Sequence, residues 1–425
     1  MPLAQRPSGA CRPVALILCG LLVASAGCLP LPLDGNGGSL LDSFVLLGAP
    51  IGGDTPGYAE VEPNNDFASA NGAALDEVGQ AVIRGSLATG QDVDVFEIGP
   101  ADAGTRFVVT VDPGGWQAIA VGMFEADGNL LYLALHAGIN GTPQYFEVAC
   151  RAPATKVYVT VASPPGQSVT GDYSLEIRRR AGAMPLPAPQ LLVLDFDGDP
   201  AVSIGGGTPV NVPVFDAGRI GAAFAGQTET IRQKVLDGVR AAFEGLDVTV
   251  LASDDPGAYD GARSTVYFGT YNPDLLGLAD SVDAYNGDTT QSAIIFTDTF
   301  SLFTVLNPTV DQISQALANV AAHEAGHLLG LWHTRDPRDL MDITATARQM
   351  LRPQNFLHAP LHATVAPLGS QDGFRLLAWA VGGNLKNSTR NQRSMPVVEE
   401  ETGGYDFEID RRLLSVGTMH CVSSD

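Results

Sequence analysis

Three histidines and one glutamate stand within eleven residues, in the run His323-Glu324-Ala325-Gly326-His327-Leu328-Leu329-Gly330-Leu331-Trp332-His333. Neutral imidazoles are natural ligands for a borderline-soft divalent cation such as Zn²⁺. A helix through this run places His323 and His327, four apart, on one face and one turn from each other. Glu324 then points about 100° around the helix, where it can touch a metal-held water without ligating the metal. Gly330 lets the chain leave the helix in a left-handed conformation that residues with a Cβ tolerate poorly. The chain can then fold back so that His333 completes a three-nitrogen face. Three ligands leave the fourth tetrahedral position open to water, which is the arrangement of a catalytic site rather than a structural one.

A methionine follows at a telling distance. Asp336-Pro337-Arg338-Asp339-Leu340-Met341-Asp342 comes directly after the run, with Met341 eight residues beyond His333. In this the chain resembles the metzincin zinc peptidases, in which the elongated histidine motif is followed by a tight turn that sets a Met beneath the metal. The resemblance implies His323, His327 and His333 as ligands of one catalytic Zn²⁺, Glu324 as general base and Met341 as the turn methionine. Two metzincin subgroups carry a Tyr ligand two residues after the Met; here Ile343 stands there, so none is assigned. The implied activity is a zinc-dependent endopeptidase that hydrolyses peptide bonds through a zinc-activated water, acting as a monomer on protein or peptide substrates. The alternative is a surface-tethered binding or adhesion protein with a vestigial zinc site. A zinc hydrolase of cell-wall peptides or glycoproteins would use the same residues.

Composition narrows the partners. The chain has 425 residues, enough for two or three domains, and a formal net charge of −23. Phosphates would be repelled, so nucleic acid and anionic lipid surfaces are not expected partners. The counts of 48 Gly and 28 Pro point to many turns, as in β-rich domains.

Residues 1–27 read as a signal peptide: Arg6 and Arg12 precede an apolar run from Val14 to Ala26 that is too short for a stable membrane span. Ala24-Ser25-Ala26 fits ordinary cleavage, whereas Ser25-Ala26-Gly27-Cys28 resembles a bacterial lipobox with Ser25 where Leu is usual. Lipidation of Cys28 would place the protein in the cell envelope; ordinary cleavage would secrete it. Membrane contact is expected only through that anchor. Cys150 and Cys421 remain, and either two free thiols or a disulfide is compatible with export.

Residues 28–58 read as a tether. From 59 to 178 short alternating segments follow at 81–87, 93–98, 106–111, 118–124, 130–135, 145–149, 156–162 and 173–177. Eight such strands predict a β-sandwich of jelly-roll type. Glu60-Val61-Glu62-Pro63-Asn64-Asn65-Asp66, the Asp92-Val93-Asp94-Val95-Phe96 segment and Gly171-Asp172-Tyr173-Ser174-Leu175-Glu176-Ile177 make this stretch similar to the bacterial pre-peptidase C-terminal domain. That family accompanies secreted peptidases. Asp92 and Asp94 are spaced to reach Ca²⁺, but solvated strand-end acids are the simpler reading. Arg178-Arg179-Arg180 is read as a solvated boundary, opening a Pro-rich linker at 179–189.

The catalytic domain is assigned to 190–382, an α+β (α/β/α-like) domain with a mixed twisted sheet and an active-site helix, and the tail to 383–425. Asp195, Asp197 and Asp199 imitate the start of an EF-hand loop, yet Gly206 at the twelfth position cannot supply its carboxylate, so that motif is rejected. Helices are expected at 228–244, 312–329 and 374–381, and strands at 191–195, 246–250, 264–270 and 293–297. The metzincin resemblance implies that 292–298 borders the cleft. His358 and His362 are four apart, but Pro360 breaks any shared helix face and argues against a second metal site.

Overall fold

The computed structural model describes residues 55–115, 118–138 and 143–384. The expected signal peptide, Cys28, most of the tether, Cys421 and nearly all of the tail lie outside these residues.

The first part is built of β1 (Gly57–Ala59), β2 (Asn71–Gly72), β3 (Gln80–Leu87), β4 (Val93–Ala101), β5 (Arg106–Asp112), β6 (Ile119–Glu125), β7 (Leu130–Ala137), β8 (Gln144–Ala149), β9 (Ala154–Ala162) and β10 (Gly171–Arg180). They form two five-stranded sheets, ordered β1-β3-β10-β5-β8 and β2-β4-β9-β6-β7. Leaving out the short β1 and β2, this is the strand order of a jelly roll, as expected. Alternation explains the inner faces: Phe107, Val109 and Val111 of β5 are buried while Val108 and Thr110 are only half covered. β6 departs from that rule, because all seven of its residues are buried. Its sheet is therefore covered on both faces. The arginines at 178–180 are not a solvated boundary. They close β10, where Arg180 pairs with Glu147 at 2.8 Å and Arg178 reaches Glu176 at 3.8 Å.

The second part contains β11 (Gln190–Asp195), β12 (Asp199–Val202), β13 (Val210–Val212), α1 (Thr228–Ala242), β14 (Val248–Ala252), β15 (Ser264–Phe268), β16 (Gly277–Ala279), β17 (Ser292–Ile295), α2 (Val310–Leu328), α3 (Ala347–Met350), β18 (His358–Pro360), β19 (Ser370–Asp372) and α4 (Gly373–Val381). The main sheet runs β14-β11-β15-β17-β16. Its first four strands are parallel, and β16 is antiparallel to β17 at the edge. The expectation for 292–298 is thereby corrected. β17 is paired on both sides, and the three-residue β16, too short to announce itself by alternation, is the edge strand.

Helices α1 and α2 pack against each other, α1 also against β14 and α2 against β15, β17 and β16. Thr309 caps α2: its hydroxyl accepts from Gln312 N at 3.2 Å while Gln312 Oε1 accepts from Thr309 N at 2.9 Å. From Ala316 to Leu328 every residue of α2 is buried, so the helix is the centre of this part rather than an amphipathic cover. Among the described residues no helix is long and apolar enough to cross a membrane.

Candidate metal centre

α2 brings His323 and His327 together with their Nε2 atoms 3.1 Å apart. The helix stops where Gly330 takes φ +98°. A Cβ there would lie 2.8 Å from both Asp283 O and Tyr285 N, so both the backbone angle and the space demand glycine. The chain reverses, and His333 returns its Nε2 to 3.0 Å from that of His327. All three side chains are buried.

Two backbone carbonyls set the rings. His327 Nδ1 donates to Leu331 O at 2.7 Å, within the reversal itself, and His323 Nδ1 donates to Leu340 O at 2.6 Å, one residue before Met341. Each of these Nδ1 atoms thus holds the ring proton, and the Nε2 lone pairs face one another. Lone pairs at 3.1 Å repel unless a cation lies among them. Tetrahedral zinc with bonds of about 2.05 Å separates its nitrogens by about 3.4 Å, so the three-histidine group fits that ion after a small expansion. Burial pushes His323 down to about 4 and His327 down to about 3, the latter aided by His323, while His333 falls well below its ordinary value for the same reason. The rings stay neutral, as ligation requires.

Glu324 is 2% exposed, and its Oε2 has no hydrogen-bond partner. Burial raises its pKa well above the usual carboxylate range. It packs against β16, where a Cβ on Gly277 would lie 2.7 Å from Glu324 Cγ. Met341 is fully buried beneath α2: a Cβ on Gly326 would stand 2.6 Å from its sulfur. The methionine turn is tied down by Asp339, which accepts from Thr334 Oγ1 at 2.7 Å and Leu357 N at 3.1 Å. Burial pushes Asp339 up to about 7. The parts missed from the sequence are Gly277, Gly326, Asp339 and the carbonyls of Leu331 and Leu340; a motif names side chains and is silent on what lies against them.

The remaining candidates fall elsewhere. Asp92 and Asp94 are buried, which corrects their reading as solvated acids. Asp92 accepts from Ala88 N at 2.6 Å and Val93 N at 3.0 Å, and Asp94 Oδ2 accepts from Tyr173 Oη at 2.5 Å. Asp94 groups with Glu60 and Glu62, but calcium gains no support from this. Asp195 accepts from Asp197 N and Gly198 N, and Asp197 from Ser253 Oγ; with Asp199 they serve local turns and do not converge. His358 bonds Ser370 Oγ and His362 bonds Thr364 Oγ1, so neither joins a metal group. Cys150 is a buried free thiol, pushed up to about 12 by burial.

The matrixin peptidase family model matches residues 277–356, from β16 through the histidines and the methionine turn to Phe356. A search of curated proteins finds no match. Among solved structures, the pre-peptidase C-terminal domain of a Bacillus anthracis collagenase is 20% identical, aligned over 28% of this chain and 100% of that one, with a TM-score of 0.20. Archaemetzincin from Methanopyrus kandleri is 14% identical over 39% of this chain and 87% of that one, with a TM-score of 0.24. At these TM-scores the two likenesses carry no argument of their own. The matched segment, the converging imidazoles and the methionine beneath them agree: residues 277–356 form a matrixin-like segment with three histidines arranged to hold a metal, and a jelly roll precedes it in the chain.

Proposed function

We propose that this protein is an exported zinc-dependent endopeptidase. The observation that carries the reading is the meeting of three neutral Nε2 lone pairs, with the buried Glu324, one of its oxygens free, next in the chain to His323. Zinc held by His323, His327 and His333 would polarise a scissile carbonyl and make a water acidic enough to attack it near neutral pH. Glu324 takes the proton of the attacking water and delivers it to the leaving amine. His323 and His327 keep their donors fixed through Leu340 O and Leu331 O, so ligand geometry needs no rearrangement during turnover.

Among the described residues strand β16 pairs with β17 alone, which leaves its outer edge for an extended peptide to pair with. Gly277 sets that edge against Glu324. Export follows the expected signal peptide, with either secretion or an anchor at Cys28; protein or peptide is the substrate class that a matrixin segment implies.

The test is Glu324→Ala in the full chain, assayed on casein and a quenched peptide library. Hydrolysis should drop by about 10²–10⁴-fold with one zinc retained per chain. Undiminished cleavage by the variant refutes the base assignment. Zinc binding by the parent protein without any turnover favours the vestigial-site alternative.

A further inference from the structure

The jelly roll reaches into the metal centre's support. The outer face of the β4-β9-β6-β7 sheet carries Val93, Val95, Phe124 and Leu133, which form one buried cluster with Leu361 and Val365, and Trp332 packs on that cluster. A sandwich face that meets solvent should alternate towards polar residues; this one does not. Trp332 immediately precedes His333.

Two chains of contact run from the sandwich to the reversal that carries His333, one on each side. On the first, Asn129, just before β7, forms a parallel bridge with Ser370, whose Oγ donates to Asn129 Oδ1 at 3.1 Å. The next residue, Gln371, is fully buried and grips the Trp332 backbone twice: its Oε1 accepts from Trp332 N at 2.8 Å and its Nε2 donates to Trp332 O at 2.9 Å. On the second, Tyr285 Oη donates to Leu131 O in β7 at 2.5 Å, and the Arg151 guanidinium covers the Tyr285 ring at 3.5 Å. Tyr285 and Asn286 both hold left-handed φ values, 65° and 56°, which non-glycine residues keep only when their surroundings enforce them. That turn presses on Gly330, and Asp283 N donates to His327 O at 3.0 Å.

We propose that the sandwich is a structural part of the metal centre, with Gln371 and Tyr285 as positioning residues that fix the turn bearing His333. A binding module on a flexible tether would need none of this. The inference rests on the reading of the three histidines as zinc ligands.

The full-length chain is compared with Gln371→Ala, Tyr285→Phe and a control, Tyr145→Phe, an exposed tyrosine of the opposite sheet. Zinc affinity is read by chelator competition, ligand geometry by the visible spectrum of the cobalt-substituted protein, and folding by thermal melting with metal removed. Gln371→Ala should weaken zinc on the order of tenfold, as loss of a residue outside the ligand set does. Tyr285→Phe should weaken it roughly threefold to tenfold, with the cobalt bands altered in both and unchanged in the control. Should Gln371→Ala not fold, Gln371→Met keeps the side-chain volume and removes both hydrogen bonds to Trp332. Affinity within about twofold of the parent and an unaltered cobalt spectrum in folded variants overturn the proposal, even if melting temperatures fall. A parent protein that binds no zinc overturns the ligand reading as well.

Discussion

Met341 lies under Gly326, so close that a single added methyl on the helix would meet the methionine sulfur at 2.6 Å and the Phe356 ring at 3.2 Å. Alanine is the better helix former by about 1 kcal/mol. Overpacking a buried site costs about 1–3 kcal/mol, and here it also pushes on the turn whose carbonyl orients His323. Gly326→Ala should therefore lose stability, by about 1 kcal/mol net, and bind zinc more weakly. A double-mutant cycle with Met341→Ala, read by urea unfolding, should show the two changes coupled; simple additivity would rule the contact out.

Gly277 stands in the same relation to Glu324 on the opposite side of α2. Gly277→Ala should displace the carboxylate and lower kcat/KM by about a hundredfold, the usual consequence of a misplacement near 1 Å. Zinc content should not change, because the atoms nearest this position belong to Glu324 and not to any of the three histidines. Parallel losses of zinc and activity would contradict that division of labour.

Metal should stabilise the fold by an amount that grows with the logarithm of its excess. Free zinc at a hundred times its Kd should add about 2.7 kcal/mol to unfolding, relieving the repulsion among the buried lone pairs. His327→Ala should abolish the effect. Calorimetry with and without chelator measures it, and an unchanged melting temperature in the parent protein would be fatal to the idea.

Asp94 supplies a pH signature far from the metal centre. Burial pushes it up to about 7, opposed by the Tyr173 hydroxyl and reinforced by Glu60, Asp92 and Glu62. An acid raised on folding binds more protons folded than unfolded, so it costs stability as pH rises from its ordinary value near 4 towards 7. Asp94→Asn should remove that slope. Its stability relative to the parent should grow by up to about 1.4 kcal/mol per pH unit across this window, measured by urea midpoints in chelator. A constant difference across pH would show that Asp94 is ionised throughout.

Local patterns carried much of the architecture. Each of the eight expected sandwich strands appears as β3 to β10, because alternation and turn residues act over neighbours in the chain. The helices α1, α2 and α4 were legible for the same reason. Of the described strands of two to four residues, β17 was legible, but β1, β2, β12, β13, β16, β18 and β19 were not, since so few residues seldom hold a period; their pairing is decided by what lies beside them.

By itself the sequence determined the candidate ligand types, the i, i+4 spacing of the first two, the glycine that ends the helix and the methionine that follows. These are properties of a continuous segment and of covalent geometry. Only the tertiary structure decided that Leu331 and Leu340 carbonyls orient the rings, that β16 rather than β17 forms the edge, that Asp94 is buried, and that Gln371 and Tyr285 clasp the turn before His333. Each of those depends on which distant residue arrives within a few ångströms, and packing, unlike periodicity, leaves no repeat along the chain to read.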